Sequence, residues 1–178
     1  MARIVADADG LIKLGKSGAL GRSLSAARVL IPRAVYREAV EVGKREMYED
    51  AFELERVLGE GDAEIVEEQE DGRATRLLEG VASLGAGECA ALHVLFAREA
   101  DAVLTDDRAF LNLLAKAGVE TIVPAAAIVF LSESGRLSRT EAIEALGRIE
   151  ELSRPEVHEA AMEELIKPKK PKEETGNG

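Results

Sequence analysis

Two pairs of aspartates stand directly after short apolar runs: Asp7 and Asp9 after residues 2–6, Asp106 and Asp107 after residues 102–105. Two glutamates, Glu38 and Glu88, fall early in segments with helical patterning. Carboxylate oxygens are hard ligands that suit Mg²⁺ or Mn²⁺. A divalent cation held by several of them acidifies water and stabilises charge on a phosphoryl group. Without a cation, converging carboxylates repel one another. Each acid also has a plainer reading on its own. An acid in a first helical turn answers the helix dipole, an Asp after a strand caps the next helix, and 34 acids place some at strand ends by chance. The chemistry therefore depends on whether the fold brings these residues to one edge.

The elements that would do so are legible as an alternation. Residues 2–6, 28–31, 63–66, 102–105 and 120–123 read as short strands. Between and after them, residues 10–16, 32–42, 44–58, 73–83, 87–99, 107–117, 125–134, 139–152 and 155–166 read as helices. Pro32 opens its helix at the favoured first position, and Gly43 is expected to break it. In the next helix Met47, Ala51, Leu54 and Leu58 are expected to face inward, and the stretch around Gly15, Ser17, Gly18 and Gly21 is expected to be loose. Strands alternating with helices imply an α/β domain with a largely parallel sheet, whose ligand crevice lies outside the carboxyl ends of the strands. Asp7, Asp9, Asp106 and Asp107 all follow strands, so they are expected to share that edge, with Glu38 and Glu88 joining from helices.

Length and composition narrow the function. A chain of 178 residues suits one domain with a small appendage. No apolar run approaches the roughly 20 residues of a membrane span, and Asp7 interrupts any signal-peptide core. One cysteine, Cys89, excludes an internal disulfide, so a reduced, cytoplasmic setting is expected. The 23 basic against 34 acidic residues give −11, which excludes bulk electrostatic binding of nucleic acid. It leaves room for a small site where cations meet a phosphate. An aromatic content of 3% argues against an extended base-stacking platform. The pair Cys89 and His93 shares one helix, but a histidine packed on an apolar helix is the simpler reading. The acidic run 67–71 reads as a solvated loop, and residues 167–178 as a disordered tail.

Four blocks of the chain resemble the PIN-domain nuclease family. Asp7-Ala8-Asp9-Gly10-Leu11-Ile12 resembles its opening D-x-N/S-x-L-I, and Ile31-Pro32-Arg33-Ala34-Val35-Tyr36-Arg37-Glu38 its second block. Leu84-Gly85-Ala86-Gly87-Glu88-Cys89-Ala90-Ala91-Leu92 is similar to L-G-x-G-E-x-x-A-L, and Leu104-Thr105-Asp106-Asp107-Arg108-Ala109-Phe110 to the fourth block. The blocks come in family order, and the C-terminal helices look most like an archaeal and bacterial subgroup of PIN proteins.

The resemblance implies a three-layer α/β/α fold over residues 1–130, with helices of residues 131–166 packed on the same domain. It implies a ribonuclease using Mg²⁺ or Mn²⁺, with Asp7, Glu38, Glu88 and an acid at 106 or 107 as catalytic residues. The metal would be held by Asp7, Glu88, Asp106 and Asp107, supported by Asp9 and Thr105. Phe110 favours Asp107 in one register, whereas the first Asp of a T-D-D block favours Asp106, so both stay candidates. The family also implies an RNA substrate, a toxin role with an antitoxin protein as partner, and a homodimer. Two alternatives compete. One is a PIN fold that binds RNA or protein without turnover, which the −11 charge favours. The other is a haloacid-dehalogenase-type phosphatase, which Asp7-Ala8-Asp9-Gly10 resembles. That chemistry wants a lysine between its acidic motifs, and none lies between Lys44 and Lys116.

Overall fold

Val5, Leu30 and Val103 point to one side of the sheet, and Ala6, Val29, Ile31 and Leu104 to the other. Strands apolar on both faces must be covered on both. The computed structural model describes residues 1–81 and 83–167 and shows that covering. The expected tail, apart from Lys167, lies outside the described residues. Five strands, β1 (Arg3–Ala6), β2 (Arg28–Pro32), β3 (Ala63–Val66), β4 (Ala102–Leu104) and β5 (Glu120–Ile122), form one sheet in the order β3-β2-β1-β4-β5. All four pairings are parallel, with Val5 opposite both Leu30 and Val103.

Helices fill both outer layers. On one side lie α1 (Ala8–Ser17), α2 (Leu20–Ala26), α3 (Arg33–Tyr36), α4 (Gly43–Arg45) and α5 (Glu49–Glu60). On the other lie α6 (Gly72–Leu78), α7 (Ala86–Ala97) and α8 (Arg108–Lys116). The chain ends with α9 (Pro124–Glu133), α10 (Arg139–Arg148) and α11 (Pro155–Ile166), which return to the α1 side. Ile128, Leu146 and Leu165 from these three join Leu11 and Leu14 of α1 in one apolar cluster. The three-layer α/β/α architecture is thus the observed one.

Local structure departs from the sequence reading in four places: α10 ends at Arg148 and not at the expected 152, giving way to a 3-10 turn over Glu150–Leu152, and three departures lie earlier in the chain. The loose stretch after α1 contains α2, because Leu20 and Leu24 bury against the core and outweigh the glycines around them. Gly43 does not break its helix: its φ of −57° and ψ of −41° are helical, and a π-helical segment, Arg37–Val42, joins α3 to α4 without interruption. The break comes at Met47, with φ 62°. The Met47 N–H donates to the Lys44 carbonyl at 3.1 Å and the Tyr48 N–H to the Gly43 carbonyl at 2.9 Å. That pair of bonds is a Schellman stop, and it leaves Met47 exposed instead of inward. Finally, α6 ends at Leu78, short of the expected residue 83.

The strand order places a topological switch point between β1 and β4, since connections from there run to opposite sides. Two contacts fix this edge. The Asp7 N–H donates to the Leu104 carbonyl at 3.1 Å, and the Thr105 N–H to the Ile122 carbonyl at 3.0 Å. Gly10 then lets α1 start hard against β4: a Cβ there would lie 2.6 Å from the Leu104 carbonyl oxygen and 3.0 Å from Asp7 Oδ1. Backbone cannot yield as a flexible side chain can. Gly10→Ala is therefore expected to destabilise the fold by about 1–3 kcal/mol, read as a lower urea midpoint with unchanged slope. An unchanged midpoint would contradict the tight approach.

Candidate functional site

Three helices begin at the switch-point edge, and each draws an acid into its first turn. Asp7 is the N-cap of α1: its Oδ1 accepts from the Gly10 N–H at 2.6 Å. Asp107 is the N-cap of α8, accepting from the Phe110 N–H at 2.8 Å. Glu88, in the first turn of α7, reaches back to accept from the Gly85 N–H at 2.6 Å. These bonds satisfy N–H groups that have no partner inside the helix. Thr105 joins two of the acids. Its hydroxyl donates to Asp7 Oδ2 and accepts from the Asp107 N–H at 3.1 Å. Glu38 arrives from the π segment. Gly87 makes room for it, since a Cβ there would stand 2.9 Å from Glu38 Oε2.

The acids of this edge divide into two groups. Asp106 is neutralised. It pairs with Lys13 at 2.9 Å and with Arg154 at 3.1 Å, and its side chain is 3% exposed. Lys13 also holds Asp9 at 2.8 Å. Burial lowers the Lys13 pKa, but its pairing with Asp9 and Asp106 outweighs this and the net direction is upward. Lys13 is thus a firm cation. Asp7, Glu38, Glu88 and Asp107 have no ion pair among the described residues. Of the two adjacent aspartates, Asp106 faces cations and Asp107 faces Glu88.

The electrostatics follow from that division. Burial pushes the Asp7 pKa up to about 7, although Thr105 and Gly10 pull it down; Asp9 and Glu88 add to the rise. Burial also raises the Glu88 pKa, the Gly85 N–H opposes this, and Asp107 and Glu38 push it further up. Capping does not account for a charged residue at position 7. A cap contributes about 1 kcal/mol, and Asn or Ser caps as well as Asp. Keeping Asp7 ionised in its buried place costs about 4 kcal/mol at high pH, from a rise of roughly three units. The fold therefore carries a charge there that its own stability would discard.

The donor set has the chemistry of a divalent-cation site: hard oxygens, a raised pKa at Asp7 and at Glu88, and no ion pair among the described residues. The described residues contain no group of three acidic, histidine or cysteine side chains already gathered for a metal ion. Asp7, Glu88 and Asp107 each hold a carboxylate oxygen to a backbone N–H. Other sequence candidates lie elsewhere. His93 Nδ1 accepts from the Asp71 N–H at 3.0 Å, which ties it to the start of α6 and away from Cys89 chemistry. Of the basic residues the sequence offered, Arg28 opens β2 at the opposite end of the sheet and pairs with Glu64, and Arg33 pairs with Glu41. Arg37 and Arg108, beside Glu38 and Asp107, are exposed and make no ion pair among the described residues. Sequence spacing missed Lys13 and Arg154, because their partner Asp106 is far away in the chain.

Residues 3–169 match a family model described as a PIN domain. The match spans all four blocks, whereas the phosphatase likeness rests mainly on residues 7–10. No curated protein and no solved structure matches significantly. No helix among the described residues is long and apolar enough to cross a membrane.

The raised Asp7 pKa has a consequence for stability. An acid whose folded pKa exceeds its unfolded value of 3.8 favours folding in its protonated form, an advantage present below about pH 4 and lost as pH rises through 7. In metal-free buffer, Asp7→Asn is expected to be more stable than wild type at pH 8, by up to about 4 kcal/mol. The gap should close towards pH 4, as followed by chemical denaturation. A gap independent of pH would contradict the buried, uncompensated carboxylate.

Proposed function

The chain belongs to the PIN-domain family, and on that premise we propose that it is a metal-dependent ribonuclease acting through Asp7, Glu88 and Asp107, with Glu38 at their margin. The observation that carries this reading is the contrast at one sheet edge. Asp106 has two cations, while Asp7 beside it is buried, pushed up to about 7 and given none. A PIN module that only bound partners would gain stability from Asn at this position.

The residues have distinct tasks. Asp7, Glu88 and Asp107 would hold Mg²⁺ or Mn²⁺. Such an ion supplies Lewis acidity towards the phosphate and lowers the pKa of water. Thr105 fixes the Asp7 carboxylate in one orientation and, through the Asp107 N–H, the start of α8 relative to β1. Lys13 and Arg154 keep Asp106 from adding a further charge, so the repulsion at the centre is confined to the acids that face one another. Arg37 and Arg108, the chain neighbours of Glu38 and Asp107, are exposed and would offer donors to a phosphate backbone. They offset locally a net charge of −11 that would otherwise keep RNA away. We do not extend this reading to a toxin with an antitoxin partner, because no residue of the site calls for one.

Cleavage of a labelled RNA is expected with Mn²⁺ or Mg²⁺ and is expected to stop with EDTA. Asp7→Asn, which keeps the cap, should lower the rate at least about a hundredfold, the upper range for disturbing even the supports of a metal ligand. Full activity in that variant would remove Asp7 from the site. A wild type inactive on every RNA tried, with either metal, would favour the binding module.

A further inference from the structure

A groove of about 450 Å³ opens beside Glu38, between α1, the π segment and α5. Its floor is apolar, made by Ile12, Val42, Ala51 and Leu54, and Tyr48 forms part of its wall. Glu38 lines the groove, and its carboxylate reaches Gly87, the residue before Glu88, where an added Cβ would lie 2.9 Å from Glu38 Oε2, so the groove adjoins the start of α7. Two backbone irregularities shape the same wall. The π segment, a form that recurs at functional sites, carries Glu38. Met47, a left-handed residue other than glycine, turns the chain so that Tyr48 follows at the corner. Such strain persists where the surroundings hold it, and functional sites are where it concentrates. The Tyr48 ring stays 58% exposed and lies over Gly43, where an added Cβ would come within 3.9 Å of it.

An exposed aromatic ring over an apolar floor, next to groups that would act on a phosphate, suits a base detached from its neighbours. We propose that this groove receives one unstacked nucleobase of a single-stranded RNA, with Tyr48 supplying the stacking face and the adjoining phosphate lying at the carboxylates. The assignment rests on the nuclease reading for its substrate class. Its rim is polar and acidic: Lys16 is tied to Asp50 at 2.8 Å, and Glu38 and Glu53 line the groove with them, so the apolar floor and the Tyr48 ring, not charge, would hold the base. A duplex keeps its bases stacked and has none to offer without paying to open. One such ring is compatible with the low aromatic content, since a single pocket does not need a platform.

The test uses the full chain and a short fluorescein-labelled single-stranded RNA of mixed sequence, in low-salt buffer with Ca²⁺ as the cation between carboxylates and phosphate, read by anisotropy. Stacking on one aromatic ring is removable by alanine, so Tyr48→Ala should weaken binding about tenfold and Tyr48→Phe should leave it unchanged. Neither variant should shift the thermal melt, because the ring is more than half exposed. A duplex of the same sequence should compete poorly. Binding that is equal in wild type and Tyr48→Ala, or absent in both, overturns the base pocket and leaves the groove to a protein partner. The nuclease reading is judged separately, by a Mn²⁺-induced rise in the melting temperature of the wild-type protein in Ca²⁺-free buffer without RNA. A tenfold loss without any Mn²⁺ shift would keep the pocket and remove the metal chemistry.

Discussion

Helices α1, α7 and α8 all start at the carboxyl edge of one parallel sheet, and the first turn of each needs acceptors for N–H groups that no helical carbonyl reaches. Asp7, Glu88 and Asp107 supply them. The same arrangement concentrates negative charge at the point where the sheet changes direction. Helix N-termini soften that charge by about 1 kcal/mol each, well below the several kcal/mol that burial imposes on Asp7. The remainder is a standing demand for a cation, and it shapes the rest of the edge: the Thr105 bridge, the missing side chains at Gly10 and Gly87, and the segregation of Asp106.

That segregation explains how six acids share one edge without unfolding it. Lys13 takes Asp9 and Asp106, and Arg154 takes the other oxygen of Asp106. Arg154 stands at the start of α11, so the C-terminal helices are tied electrostatically to the strand β4 as well as packed on α1. The neutral half of the edge holds the fold, and the charged half has no ion pair of its own among the described residues. Breaking a buried pair of this kind costs several kcal/mol because a bare charge remains, which makes Lys13 and Arg154 part of the scaffold for the reactive carboxylates.

Much of this was legible in the sequence, and for a physical reason. Short buried strands that stop at an acid leave a strong local signal, so β1 and β4 with Asp7, Asp106 and Asp107 are read from neighbours alone. Glu88 after Gly85-Ala86-Gly87 is read the same way. What stayed hidden depends on distance. Asp106 and Asp107 are equivalent in any local pattern, and only Lys13 and Arg154, remote in the chain, separate them. The helix break at Met47 escaped because the expected signal was glycine, and Gly43 sits one turn earlier in ordinary helical geometry. The groove at Tyr48 depends on that break and was invisible for the same reason. Helix α2 was hidden by glycines whose flexibility the burial of Leu20 and Leu24 overrides.

The central claim is that buried Asp7 exchanges its proton for a divalent cation. Calorimetric titration of Mn²⁺ at pH 7, in two buffers of different ionisation heat, measures this directly. With a pKa of about 7, the carboxyl is roughly half protonated there. The account predicts saturable binding with net proton release, lost in Asp7→Asn. Binding without proton release, or no binding at all, would contradict it.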